Sequence, residues 1–154
     1  MRAMAVVFAC AALAVLLGCR GRTNGGEDAQ VKALGTVEVT ARLAEVPDGA
    51  VFQRELYDYA TVLKYKVVAV HRGTLEPGGI IYVAHYNPWK SRAQAADARV
   101  KGIGGDVRQF HAGQLHRLAL EVPLDDFYMG GVVDKYFGKH EGAIYWAVWT
   151  NQAE

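Results

Sequence analysis

Five histidines are the residues of this chain best suited to metal chemistry: His71, His85, His111, His116 and His140. A zinc hydrolase needs three convergent ligands drawn from His, Asp or Glu, and one open coordination position. No HExxH or HxH pattern occurs. His71 and His85 end the two strands of an expected hairpin. Pairing His71 with Ile80 sets His85 opposite Lys66, five residues along the strand and so roughly 16 Å away, too far to share an ion. His111 and His116 can approach each other where a strand begins, with Asp106 near. They are the candidate metal ligands, and a metal-assisted hydrolase using them is the alternative reading of the protein. Against it stands the simpler reading of a polar loop and a strand-end histidine.

Other catalytic chemistry has little to work with. Ser91 is the only serine, and no GxSxG occurs; with Gln94 three residues on, Ser91 fits a helix-capping box. Asp125 and Asp126 are adjacent and would point apart on an extended chain, so they read as a loop or helix-start pair. The pairs Gly78-Gly79, Gly104-Gly105 and Gly130-Gly131 lack the GKS/T ending of a phosphate loop and read as turns. No motif calls for a cofactor. The aromatic residues are more promising. They exceed what a plain core needs, and Tyr and Trp offer flat apolar faces with a polar edge, suited to sugar rings or peptide segments. Tyr86, Asn87, Trp89 and Tyr128 fall at strand exits and loops and are the candidate ligand-binding residues.

These residues must be positioned by a mainly β domain. In residues 35–46, Val37, Val39, Ala41 and Leu43 alternate with Glu38, Thr40 and Arg42, which predicts a strand ended by Pro47-Asp48-Gly49. The stretch 60–86 predicts a hairpin. Leu63, Tyr65 and Val67 share one face, and Ile80 and Tyr82 are grouped with them as core; Ile81, Val83 and His85 take the other face of the second strand. Residues 51–59 have no clear pattern. Arg92 to Lys101 carries Ala93, Ala96 and Val100 at helical spacing, closed by Gly102. Leu118, Leu120 and Val122 mark a strand over 113–123. Val132, Val133, Tyr136 and Phe137 predict a second short helix stopped by Gly138. Residues 143–150 are bulky on both faces and predict a well-covered last strand. The expected fold is a five-stranded OB-like barrel with two short helices, over residues 34–154.

The start of the chain has a different character. Arg2 precedes an apolar run from Ala5 to Leu17, too short for a comfortable membrane span and fitting for a signal-peptide core. It ends Leu16-Leu17-Gly18-Cys19, which resembles the bacterial lipobox. That resemblance implies a leader over 1–18, an acylated Cys19 and attachment to a lipid bilayer on the periplasmic or surface side, most simply at the outer membrane. Cys10 would leave with the leader, so the mature domain would have no free thiol, disulfide or Cys-based zinc site. Residues 19–33, with Asn24-Gly25-Gly26, read as a flexible tether spanning roughly 20 Å.

Charge narrows the partners. The chain has 17 Lys and Arg against 16 Asp and Glu, which gives no basic excess for nucleic acid. With 51% hydrophobic residues a packed core is feasible. The strings YKVVAVHRG, GGIIYV and AGQLHRLALE resemble barrel strands of the netrin-module and tissue-inhibitor-of-metalloproteinase kind of OB fold. No inhibitory function carries over, since the mature domain lacks those families' cysteines. The wider pattern is similar to uncharacterised bacterial lipoproteins. It implies a non-catalytic binding or assembly module for envelope polysaccharide or a partner protein, as an accessory to polysaccharide modification.

Overall fold

A computed structural model describes residues 28–49 and 57–154. A five-residue helix α1 (Ala29–Ala33) leads into β1 (Val37–Glu45), β2 (Ala60–Arg72) and β3 (Ile80–Tyr86). One helical turn, α2 (Arg92–Ala95), and the two-residue β4 (Gly104–Gly105) precede β5 (Leu115–Glu121). A 3₁₀ turn (Leu124–Asp126), the two-residue β6 (Val132–Val133) and β7 (Tyr145–Gln152) complete the chain. The long strands close in the order β1-β2-β3-β7-β5 and back to β1. Every neighbouring pair is antiparallel except β3 with β7, which is parallel. Closure leaves none of the five with a free edge. This is the expected OB-like barrel, mainly β, with two short helices.

The interior is lined by Val39, Ala41, Leu43, Leu63, Tyr65, Val67, Ile81, Val83, Leu118 and Leu120, all buried. The face expected for β3 is reversed. Tyr65 pairs with Ile81 and Leu63 with Val83, and directly opposed residues share a face. Ile81, Val83 and His85 therefore point into the barrel, while Ile80 is 46% exposed. The other face of β2 and β3 is also covered. Ala60, Val62, Ala84 and Tyr86 form a second core outside the barrel with Leu124, Tyr128, Tyr136 and Trp146.

The hairpin register also differs from expectation. Ile80 pairs with Lys66 and His85 with Thr61. Val67 N–H donates to the Gly79 carbonyl and Gly78 N–H to the Val67 carbonyl, both at 2.8 Å, closing the hairpin there. Residues beyond Val67 stay in β2 by pairing with β1 instead, through to Arg72 opposite Glu38. His71 and His85 are thus ten residues apart along the strand direction, up to about 33 Å.

Three further boundaries move. Residues before Leu34 already pack with the domain: Asp28 caps α1 by accepting from Gln30 N–H at 2.8 Å, and Val31 is fully buried. The last six residues expected in the tether belong to the domain. The helix expected over 92–101 ends after one turn. Ser91 makes no cap bond to the backbone, and Asp97 accepts from Arg99 N–H (2.8 Å) and Val100 N–H (2.9 Å). Such an Asx turn competes with helical bonding. The helix expected at 132–137 is absent. Val132 and Val133 pair in parallel with Ala60 and Thr61, as suits β-branched residues, and Asp134 then turns the chain by accepting from Tyr136 N–H at 2.8 Å. No helix of the described residues is long and apolar enough to cross a membrane. The leader, Cys19 and residues 50–56 lie outside the described residues.

Candidate functional site

The two metal candidates part company in space. His116 is fully buried inside the barrel, whereas His111 is exposed on the loop before β5. Gln114 stands between them: its Oε1 accepts from His111 N–H at 2.8 Å and lies 3.2 Å from His116 Nε2. Asp106 is occupied with Gln152 N–H at 2.6 Å. Among the described residues no three of His, Cys, Asp or Glu are grouped to hold a metal ion.

What His116 meets instead is Tyr65. The Tyr65 hydroxyl lies 3.0 Å from His116 Nδ1 and 3.2 Å from His85 Nε2. A hydroxyl can donate to one ring nitrogen and accept from the N–H of the other. Phe110 packs against both imidazoles, with ring centres 4.7 and 5.5 Å away. The buried Arg92 guanidinium lies 5.1 Å over Phe110 and donates to the Asn87 and Lys90 carbonyls at 2.6 and 3.2 Å. Burial, with the Arg92 charge behind it, drives the His85 pKa well below its ordinary value and that of His116 to about 4. Burial likewise raises Tyr65 well above its usual value and lowers Arg92 to about 10. At neutral pH the cluster is two neutral imidazoles, a neutral phenol and one guanidinium. Tyr65, His85 and His116 are fully buried, which withholds them from a substrate and makes the cluster a polar core.

The arrangement with access to solvent lies outside the barrel. A depression of about 400 Å³ is lined by Tyr86, Tyr128 and Trp146, with Asp58, Arg99, Val100, Lys101 and residues 127–131 around them. Tyr128 stacks on Trp146, 4.9 Å between centres and 7° from parallel, and meets Tyr86 edge-on at 5.6 Å. Tyr86 donates to Asp97 Oδ2 at 2.8 Å and Tyr128 to the Gly131 carbonyl at 3.2 Å. Gly130 must be glycine, since a Cβ there would sit 2.3 Å from the Tyr128 hydroxyl. Burial, then the bond to Asp97, raises the Tyr86 pKa; burial raises that of Tyr128. Both phenols stay neutral. At the rim Phe127 is 49% and Met129 93% exposed.

Of the four candidate ligand residues, Tyr86 and Tyr128 are thus brought together, though more deeply set than expected. Tyr86 is buried because Tyr128 and the β7 residue Trp146 cover it on the outer face of β3. Asn87 is fully buried in a left-handed turn (φ 46°), its Nδ2 donating to the Ala95 carbonyl at 3.4 Å and its own carbonyl holding Arg92. It shapes the turn and does not face a ligand. Trp89 packs on Tyr59, 4.7 Å between ring centres, and is not among the residues that line the depression. Sequence reasoning missed Trp146, hidden in a strand bulky on both faces, and Met129. It also missed Arg99 and Lys101, which an amphipathic helix would have placed on a solvated face. Set beside models of known families, curated proteins and solved structures, the chain matches none.

Proposed function

We propose that this chain is a lipid-anchored, non-catalytic binding module of the bacterial cell envelope that takes a polysaccharide at the Tyr86–Tyr128–Trp146 depression. The anchor is supported by Leu16-Leu17-Gly18-Cys19 after an apolar leader. The observation that carries the binding reading is a depression of about 400 Å³ with Phe127 and Met129 exposed at its rim, seated on a buried Tyr86–Tyr128–Trp146 cluster that stacking and hydrogen bonds hold in place. A rim seated on a fixed base needs little ordering on binding, and a depression of this size that sets apolar side chains beside polar ones is a common form of ligand site. Sugar rings present apolar faces to exposed side chains such as Phe127 and hydroxyls to the polar groups beside them.

The test is binding of envelope polysaccharide, read by Trp fluorescence and by co-sedimentation, in a Phe127→Ala, Met129→Ala double variant. Both side chains are exposed, so the melting curve should hold while affinity falls about tenfold or more. Unchanged affinity for a polysaccharide the wild type binds would exclude this site. If the protein captures a partner protein and no glycan, the assembly reading replaces the polysaccharide one.

A further inference from the structure

We infer that the barrel holds ordered water at its Arg92 end, bridging His85 Nδ1 and Thr61 Oγ1 to Asn87 Oδ1 and Arg92 Nε. These four polar atoms are buried and have no hydrogen-bond partner among the described residues, and the residues that carry them are at most 3% exposed. An unpaired polar atom sealed from solvent is costly, and folded proteins meet such atoms with internal water. The fold brings the four together. Thr61 pairs with His85 across β2 and β3, and both point inward, Thr61 two residues before the core residue Leu63. Directly opposed side chains on one face are near neighbours, yet Thr61 Oγ1 and His85 Nδ1 do not bond each other, a gap suited to a bridging water. Asn87 lies two residues beyond His85, and its carbonyl accepts from Arg92 Nη2 at 2.6 Å. Phe110 closes the group, its ring centre 4.7 Å from that of His85 and 5.1 Å from the Arg92 guanidinium carbon.

The donors and acceptors of the site name the ligand, and Gln114 sets them from the loop before β5. The His111 N–H, a donor, lies 2.8 Å from Gln114 Oε1, so the amide turns its oxygen that way. The same oxygen lies 3.2 Å from His116 Nε2, which must therefore carry a hydrogen. His116 Nδ1 is then an acceptor, and the Tyr65 hydroxyl donates to it at 3.0 Å. The Tyr65 oxygen accepts in turn from His85 Nε2–H at 3.2 Å. His85 Nδ1 is left with a bare lone pair. Asn87 Nδ2 donates to the Ala95 carbonyl, so Oδ1 is its free end. The site thus offers two acceptors, His85 Nδ1 and Asn87 Oδ1, one fixed donor, Arg92 Nε–H, and the Thr61 hydroxyl, which does either. An anion would meet the two acceptors, and a cation would meet the guanidinium. Water answers both kinds at once: its hydrogens go to the acceptors, and its oxygen takes Arg92 Nε–H and Thr61 O–H. A hydrogen-bonded path then runs from Gln114 through both imidazoles to Arg92 and ties the turn at Asn87 to the loop before β5.

The test uses the full chain in detergent, with isotope-labelled histidine. Nitrogen–proton correlation spectra at neutral pH should show the His85 and His116 rings both protonated on Nε2. The His85 ring protons should give nuclear Overhauser cross-peaks at the water frequency, and water relaxation dispersion should detect a long-lived internal water. Thr61→Val removes the hydroxyl at similar volume. It should shift the His85 Nδ1 resonance and lower the dispersion amplitude, and Thr61→Ser should restore both. A proton on His85 Nδ1, the lack of any water contact at the His85 ring, or an amplitude and resonance unchanged in Thr61→Val would each overturn the inference. Should Thr61→Val fail to fold, the tautomer and the ring–water contact of the wild type decide the matter alone.

Discussion

Mild acid should unfold this protein from inside its barrel. His85 and His116 are fully buried, joined through Tyr65, and the charged group acting on both is a cation, Arg92. In the unfolded chain each histidine binds a proton near pH 6.5, to within about half a unit; folded His116 does not until about pH 4, and His85 is displaced in the same direction. A folded pKa below the unfolded one means that the unfolded state binds the proton first. Their contribution is therefore complete above about pH 6.5, declines as pH falls from there, and for His116 stops declining near pH 4. Each such proton lowers stability by about 1.4 kcal/mol per pH unit. His116 alone should remove roughly 3 kcal/mol across its window, and His85 adds a loss of the same sign. That is a large share of a typical domain stability of about 5–15 kcal/mol. The two carboxylates with lowered pKa, Asp28 and Asp97, titrate below this range. His71, lowered by burial and then by Arg117, adds a smaller effect of the same sign, which a His71→Gln variant isolates. Urea unfolding at a series of pH values should show a slope approaching two protons between about pH 6 and pH 5, and His116→Gln should halve it. A flat stability profile, or a slope that survives both His116→Gln and His85→Gln, would refute the reasoning.

Three other perturbations probe separate parts of the molecule. Val67 faces the barrel interior and is buried, so Val67→Asp should lower stability by several kcal/mol through an unpaired buried charge; a wild-type melt would show that the inward face has been misread. Glu38 is buried between Arg72 and Arg117, and Glu38→Gln should lower stability by about 2 kcal/mol, less than a sealed pair because both arginines reach solvent; a chemical melt within error of wild type would contradict this. Cys19→Ala should release the protein from the membrane fraction, because anchoring scales with about 0.8 kcal/mol per buried CH₂ of the acyl chains; a variant still sedimenting with lipid would end the lipoprotein proposal.

The five barrel strands were legible because their residues alternate. Val37, Val39, Ala41 and Leu43, and Leu118 with Leu120, announce both strand and inward face. Register was not legible, since β2 pairs with β3 over Ala60–Lys66 and with β1 over Lys64–Arg72, and nothing local marks where either neighbour begins or ends. Residues 132–137 carry a helix-like spacing over too few positions to separate helix from strand, and two adjacent valines decided it. The floor of the depression was half legible: Tyr86 and Tyr128 stand out at a strand exit and a loop, but Trp146 joins them only through the parallel pairing of β3 with β7. The Tyr65–His85–His116 cluster was invisible because it unites β2, β3 and β5, and β3 and β5 are not neighbours; only closing the barrel brings their side chains across its interior.

The way residues 28–34 are bound to the barrel has a mechanical consequence. Asp28 accepts hydrogen bonds from Trp149 Nε1 and Asn151 Nδ2, at 2.9 and 3.0 Å, and Arg72 grips the Lys32 and Leu34 carbonyls just behind it. Tension arriving from upstream of Asp28 therefore enters β7 sideways, through side chains, before it reaches the end of β1. The strand that a pull would otherwise peel first is sheltered behind a latch of a few bonds. A force applied upstream of Asp28 would load these few side-chain bonds before it loaded the closed ring of strands.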